Sequence, residues 1–344
     1  MFKLASISSM LKESRLIKLR AARNRQPSRF SSPLVKSVLF ASAVAALVAV
    51  ENKTYSNNFS RAADVSNAQR SSSCKKLLDE LDNQFDERRR GREEHTPPTK
   101  VEYNKKFDLY EPEATCISEE RFGSKVRYHA FGDGPKFVCG VDVIAKKAKQ
   151  SNCLVYSVGS NNDVRFEQAV HTFINGCEVH TFDPTLKDEQ FVGGEYATFH
   201  PWGLGTDGGK EGNTMHGRAN DGSRKSFETI IKELGHENRK IDILKIDCQG
   251  CEYSAMPPLF ELIASGKVQV DQVLIEMHAR KDGNFLDMLR DFFMAADKAK
   301  LRIFHKERNG WGCDGFRCVE YAFVSESFLR EANGASMCPG EGAV

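Results

Sequence analysis

Four acidic or imidazole side chains, Asp183, Asp247, Glu276 and His278, stand where the sequence could do chemistry. Asp183 closes the segment Leu154–Thr185, LVYSVGSNNDVRFEQAVHTFINGCEVHTFDPT. In it an apolar run leads into a compact polar turn, an amphipathic stretch and a second apolar run. A turn built from Gly159, Ser160, Asn161 and Asn162 lets the backbone approach a ligand closely, with helix N-terminal amides aimed at it. A carboxylate about twenty residues further on, ending the second strand, is where a βαβ unit holds two ribose hydroxyls. The turn has one glycine where the dinucleotide fingerprint asks for three. Ser160 and Asn161 therefore suit a cofactor without a pyrophosphate. The plainer alternative is an α/β unit with no ligand.

The other candidates sit at the ends of two further apolar runs. Asp247 follows Ile241–Ile246, and a parallel strand delivers such a residue to the cleft at the carboxyl edge of its sheet. Glu276, His278 and Arg280 end or follow the run from Val270. His278 alone among these has an ordinary pKa near neutrality, so it is a candidate for taking a proton from a hydroxyl; the alternative is a structural, hydrogen-bonded histidine. Lys245 and Glu252 are placed to hold the intervening loop as an ion pair. Cys248 and Cys251 form a C-x-x-C, but no second Cys or His pair stands at zinc-finger spacing. No metal is expected, and these cysteines read as small packing residues. No D-x-D motif in the cleft segments supports a nucleotide-sugar enzyme.

These residues need elements to carry them. The pattern predicts strands over Leu154–Val158, Glu178–Phe182, Ala197–His200, Ile241–Ile246 and Val270–His278. Between them lie a helix presenting Phe166, Val170 and Phe173, capped by Asn162 or Asp163 and ended by Gly176, one from Ser226 closed by Gly235, and one over Met256–Leu262. A helix over Phe285–Ala299 precedes strands Leu301–His305 and Val319–Val324, joined by a loop whose ends carry Cys313 and Cys318. Upstream, Val126–His129 and Phe137–Val141 around Gly132-Asp133-Gly134 read as a lead-in hairpin or lid, followed by a helix over Val143–Gln150. The Gly-rich stretch 206–220 reads as a loop over the substrate pocket.

The turn VYSVGSNND, the segments EVHTFDP and LKIDCQGCE, and the C-terminal IFHKERNGWGCDGFRCVEYAFV together resemble the FkbM-type, METTL24-like methyltransferase family. The likeness covers about Cys139 to Ser327, and its most specific part is the pattern from Leu244 to Glu252. It implies an α/β class I methyltransferase fold, a Rossmann-like doubly wound sheet with a C-terminal antiparallel hairpin, binding S-adenosyl-L-methionine. By that resemblance Gly159 and Asn161 hold the methionine end, with Ser160 and Asn162 also cofactor-binding, and Asp183 holds the ribose; Trp202, after the third strand, either stacks on the adenine or is a packing residue on its loop. Asp247 borders the methyl donor. His278 or Asp247 is the expected catalytic base toward an unknown hydroxyl acceptor, a glycan or a small molecule. The competing reading is a membrane-anchored, non-catalytic binding module on the same fold.

The 344 residues leave room for one large domain with extensions. Net charge is only +2, but residues 1–36 carry nine basic side chains against Glu13 alone. The apolar run 37–50 follows. One reading is a signal-anchor that leaves the catalytic domain lumenal in the endoplasmic reticulum or Golgi. Another is a mitochondrial or plastid transit peptide; a third is a cleaved signal peptide. Sequons at Asn52 and Asn58 would matter only on a lumenal side. Membrane topology accounts for the basic arm more simply than nucleic acid, so no nucleic-acid partner is expected. Residues 51–115 read as a stem with a charged helix near Leu77, Leu78, Leu81 and Phe85, residues 116–330 as the methyltransferase domain, and 331–344 as a disordered tail. Ten cysteines do not by themselves decide the compartment.

Overall fold

A computed structural model describes residues 72–88, 90, 103–123, 134–208, 224–281, 283–310, 313 and 317–337. The arm, the apolar run, the sequons and the Gly-rich stretch from residue 209 on lie outside them. None of the described helices is long and apolar enough to cross a membrane.

The core is a seven-stranded sheet. In chain order its strands are β3 (Leu154–Val158), β4 (Glu178–Phe182), β5 (Thr198–His200), β8 (Ile241–Ile246), β9 (Val270–His278), β10 (Leu301–Arg308) and β11 (Cys318–Ser325). Their spatial order is β10-β11-β9-β8-β3-β4-β5. The five from β5 to β9 run parallel, and β11 inserts antiparallel between β9 and β10. Order reverses between β3 and β8, the crevice where open α/β sheets bind ligands. This is the class I methyltransferase arrangement that the motifs implied, including the terminal antiparallel pair. Four short strands stand apart: β1 (Glu119–Phe122) pairs with β2 (Lys136–Cys139), and β6 (Gly203–Leu204) with β7 (Arg224–Lys225).

β3, β8 and β9 are buried along their whole length, as mostly apolar central strands are, with Ser157, Asp242, Lys245, Asp271, Gln272, Glu276 and His278 as their buried polar positions. Helices cover both faces. On one face lie α4 (Phe227–Glu233), α5 (Glu252–Ala264) and α6 (Phe285–Lys298), supplying Ile230, Met256, Leu259, Phe260, Phe285 and Phe292. On the other lie α2 (Val141–Ala148), α3 (Arg165–Phe173) and α7 (Glu326–Met337), supplying Ile144, Phe166, Val170 and Phe328. Each such side chain contributes roughly 1.5–3 kcal/mol when fully buried.

Several expectations shift. Phe173 is 57% exposed, so the inner face of α3 ends with Val170. Neither Asn162 nor Asp163 is the N-cap of α3, which is Val164 without a side-chain bond. Asp163 instead accepts from the Arg165 amide and pairs with its guanidinium. Ser226 does cap α4, accepting from the Thr229 amide at 3.2 Å. The strand partner of β2 is residues 119–122, upstream of the expected hairpin; 124–133 are outside the described residues. The supposed tail is a helix: α7 runs to Met337, and its buried Asn333 donates to the Thr115 carbonyl at 2.9 Å and accepts from the Ile117 amide at 3.0 Å. The charged segment 72–88 is helical (α1), burying Leu78 and Phe85 while Arg330 of α7 reaches Asp79 at 2.9 Å and also pairs with Asp82. A 3-10 turn, Tyr103–Leu109, buries Phe107, whose carbonyl accepts from the Tyr321 hydroxyl at 3.1 Å.

Among the described residues no cysteine is free. Cys116–Cys139, Cys153–Cys177, Cys248–Cys251 and Cys313–Cys318 are bridged. Cys248 and Cys251 are thus a disulfide and not merely the small packing residues expected; their loop brings the Cα atoms to 5.5 Å, within the span a bridge needs.

Candidate active site

A cavity of about 440 Å³ opens at the carboxyl ends of β3, β4, β8 and β9. Its polar wall includes Ser160, Asn161, Asp183, Lys245, Asp247 and Glu276; Val158, Phe166, Pro184 and Leu204 give apolar surface.

The turn after β3 takes its shape from three left-handed residues, Gly159 (φ 79°), Asn161 (φ 45°) and Asn162 (φ 65°). Glycine and asparagine tolerate that region best. Gly159 has a second reason: a Cβ there would lie 1.8 Å from the Asp247 carbonyl oxygen. The Gly159 amide donates to Phe182 O at 2.8 Å, the Asp247 amide to Val158 O at 2.9 Å, and the Lys245 ammonium to the Gly159 carbonyl. Turn and β8 end are therefore one unit. The expected Lys245–Glu252 ion pair does not form, because Lys245 is spent on this carbonyl and Glu252 on His278.

Asp183 lies at the cavity wall but is engaged. One oxygen accepts from the Thr185 amide at 2.8 Å and its hydroxyl at 2.6 Å, the other from the Asn161 amide at 2.6 Å. The Ser160 hydroxyl stands 3.4 Å from that second oxygen. Asn162 turns away from the cavity, donating to Gln190 O at 2.9 Å and accepting from the Val192 amide at 3.0 Å. Trp202 is also off the cavity wall. It is packed against His200, ring centroids 4.6 Å apart, with the Lys225 ammonium 3.6 Å over its face. Among the described residues the aromatic ring on the cavity wall is Phe166. Gly159, Ser160, Asn161, Asp183 and Asp247 do share one cavity.

Behind Asp247 stands a buried charge cluster that the sequence reading found only in part. Lys136 of β2, 1% exposed, lies 2.7 Å from Glu320 of β11 and 3.7 Å from Asp247. The Asn309 amide donates to Glu276 at 2.7 Å. His278 Nδ1 is 2.7 Å from Glu252, and its Nε2 is 3.7 Å from Glu276. Burial works to raise the pKa of Asp247, but the Lys136, Lys245 and His278 charges and a hydrogen bond with Glu276 hold it below the ordinary carboxylate value. Burial pushes Glu276 up to about 9, helped by the Asp247 and Glu320 charges. Burial pushes His278 the other way, but the Glu252 charge and hydrogen bond, then Glu276 and Asp247, carry it up to about 9.

At neutral pH Asp247 is an anion reaching the cavity, Glu276 a neutral acid bonded to it, and His278 a buried cation behind both. A protonated ring cannot accept a proton, so the geometry sets His278 back from the role of base. Lys136 and Glu320 carried one legible signal: each is a charge inside an apolar strand, KFVC and CVEYAFVS.

A family model described as a methyltransferase domain matches residues 62–325. Probable methyltransferase-like protein 24 of Homo sapiens is 27% identical over 175 residues, 48% of this chain and 46% of that protein. The Rattus norvegicus protein of the same description is 26% identical over 141 residues, 41% of this chain and 37% of that protein. The chain thus spans less than half the length of these curated relatives. Among solved structures, an O-methyltransferase from Bacillus cereus in complex with SAH is 10% identical, covering 54% of this chain and 80% of that one, with a TM-score of 0.33.

Proposed function

The chain belongs to the methyltransferase-domain family, and on that premise we propose that it is an S-adenosylmethionine-dependent methyltransferase acting on a hydroxyl oxygen. The observation carrying this reading is the shared cavity, which joins a left-handed Gly/Asn turn, Asp183 and an ionised Asp247 at the switch point of the sheet. Its volume is that of a small-molecule site. Its mixture of carboxylates, turn backbone and apolar wall fits a cofactor with a cationic centre, a ribose diol and a flat base. Gly159, Ser160 and Asn161 would hold the amino-acid end, Asp183 the diol, and Phe166 would face the base. The cofactor supplies a methyl group already activated on a sulfonium.

The chain's own residues then align the acceptor and handle one proton. Asp247 accepts a hydrogen bond from the acceptor hydroxyl and orients its oxygen for in-line attack. As oxygen gains positive character the proton passes to the Asp247–Glu276 pair. The Lys136 and His278 cations keep Asp247 ionised before that event. No described residue identifies the acceptor.

The paired cysteines favour an oxidising compartment. Together with the basic arm and the apolar run 37–50 they support a membrane-anchored protein with a lumenal catalytic domain.

Calorimetric titration of the full chain with S-adenosylmethionine tests the cofactor assignment. Micromolar binding, weakened at least about tenfold by Asp183→Ala, is expected. A folded wild type that binds none moves the weight to a non-catalytic binding module, which the complete engagement of Asp183 by protein donors would then explain.

A further inference from the structure

At the end of β4 remote from the cavity, Glu178 and His180 stand two residues apart, on one face of the strand. His236, in the loop after α4, reaches the same point. His180 Nε2 lies 2.9 Å and His236 Nε2 3.2 Å from one oxygen, Glu178 Oε1. These three atoms all lie within 4.8 Å of one another. Each ring is also fixed at its other nitrogen. The Tyr156 hydroxyl is 2.7 Å from His236 Nδ1, and His200 Nε2 is 2.9 Å from His180 Nδ1. Arg239 pairs with Glu178 through Oε2, leaving Oε1 to the histidines. Both histidines are buried, while the Glu178 side chain is 44% exposed, so solvent reaches the point of convergence from one side.

We propose that Glu178, His180 and His236 bind a divalent transition-metal ion, zinc being the best match, at a site separate from the methyl-transfer cavity. Imidazole nitrogen and carboxylate oxygen are ligands of choice for zinc, and three protein ligands leave a position for water. Ring orientation by a second hydrogen bond is the usual mark of metal-binding histidines, and both rings have it. The protons balance. Each Nε2 now lies at hydrogen-bond distance from Glu178 Oε1, where a ring proton on Nε2 is donated to it, and Arg239 Nη1 stands 3.5 Å from His236 Nε2. With the metal on Nε2, each ring keeps its single proton on Nδ1 and donates it to Tyr156 Oη or His200 Nε2. A tyrosine hydroxyl and a histidine can each switch between donor and acceptor. The ion would tie β4 to the loop that leads into β8, and so brace the sheet at the end opposite the chemistry.

The test uses the full chain stripped with a chelator and titrated with Zn²⁺ alone, followed by calorimetry and thermal unfolding. Co²⁺ replaces Zn²⁺ for a visible d–d spectrum. Saturable binding of one equivalent is expected, with a Tm rise of several degrees at about a hundredfold excess over Kd. His236→Gln and Glu178→Gln should each weaken binding more than about 100-fold, and Tyr156→Phe about 10-fold or more, as loss of an orienting partner does. Glu178 is half-exposed, so Glu178→Gln keeps the test open if the histidine variant misfolds. No one-equivalent binding by folded wild type, or binding unchanged in both folded variants, overturns the proposal and leaves an imidazole–carboxylate hydrogen-bond network.

Discussion

Glu252 holds Nδ1 of His278 at 2.7 Å with both side chains shut away from solvent. They come from different elements, the first turn of α5 and the last residue of β9. Their pairing makes the imidazole a fixed cation and turns its other nitrogen toward Glu276. The His278 charge, behind the cavity and out of a substrate's reach, therefore adds to those of Lys136 and Lys245 in keeping Asp247 ionised.

The pH dependence of stability follows. Glu276 and His278 both have pKa values near 9 in the fold, against ordinary values of 4.5 and 6.5. Between pH 6.5 and 9 the unfolded chain has released both protons and the folded chain keeps them, so stability falls as pH rises through that window. The contribution is fully present below 6.5 for His278 and below 4.5 for Glu276. Tm should drop by several degrees from pH 6.5 to 9, and Glu276→Gln should flatten the slope. A Tm level across that window would contradict the cluster as described.

Asp247→Asn should lower methyl transfer by a factor of about 100 or more, the usual size of an acid–base contribution, while cofactor affinity changes only a few-fold. His278→Gln should act less on the chemical step and more on its pH profile. Equal losses in the two variants would put the base back at His278.

Thr185 and a ribose diol would compete for the same Asp183 oxygen. Thr185→Val removes the competing hydroxyl and should leave cofactor affinity unchanged or improve it a few-fold. Asp183→Asn should weaken it about tenfold or more. A Thr185→Val variant with the full Asp183→Asn defect would show that Asp183 acts only by holding the turn.

The Cys153–Cys177 bridge joins the residue before β3 to the residue before β4, closing a loop 24 residues long. Replacing both by serine should cost about 3 kcal/mol of stability on the chain-entropy account. Cys248–Cys251 closes only three residues but lines the cavity, so Cys248→Ala/Cys251→Ala should alter cofactor affinity more than Tm. Calorimetry and thermal unfolding on both double variants separate the two roles.

The buried strands were legible because β3, β8 and β9 lie inside on both faces, so each is mostly apolar, interrupted by a few buried polar residues such as Ser157, Asp242 and Gln272. Glycine and asparagine marked the turn because its backbone needs positive φ. What stayed hidden depends on contacts between distant segments. Lys136 and Glu320 meet across 184 residues, so although each is a charge in an apolar strand, nothing local names its partner. Trp202 sat at the expected strand end, but His200 and Lys225 on neighbouring strands claim its faces. Asn333 lay in a polar stretch without apolar periodicity, yet it is a buried clip to Thr115 and Ile117. His278 had the right intrinsic pKa for a base and lost it to Glu252, a partner 26 residues away.

The contact between Gly159 and the Asp247 carbonyl has a consequence for sequence drift. With 1.8 Å available to a Cβ and backbone on the far side, no neighbouring side chain can yield to make room, so even alanine is shut out. In a library covering every single substitution, position 159 should be an empty column. Gly266, which also has a positive φ but nothing within 4 Å of its Cβ position, should still admit asparagine. Descendants of this chain are then free to redecorate the cavity around the turn, but they inherit the joint between turn and strand unaltered.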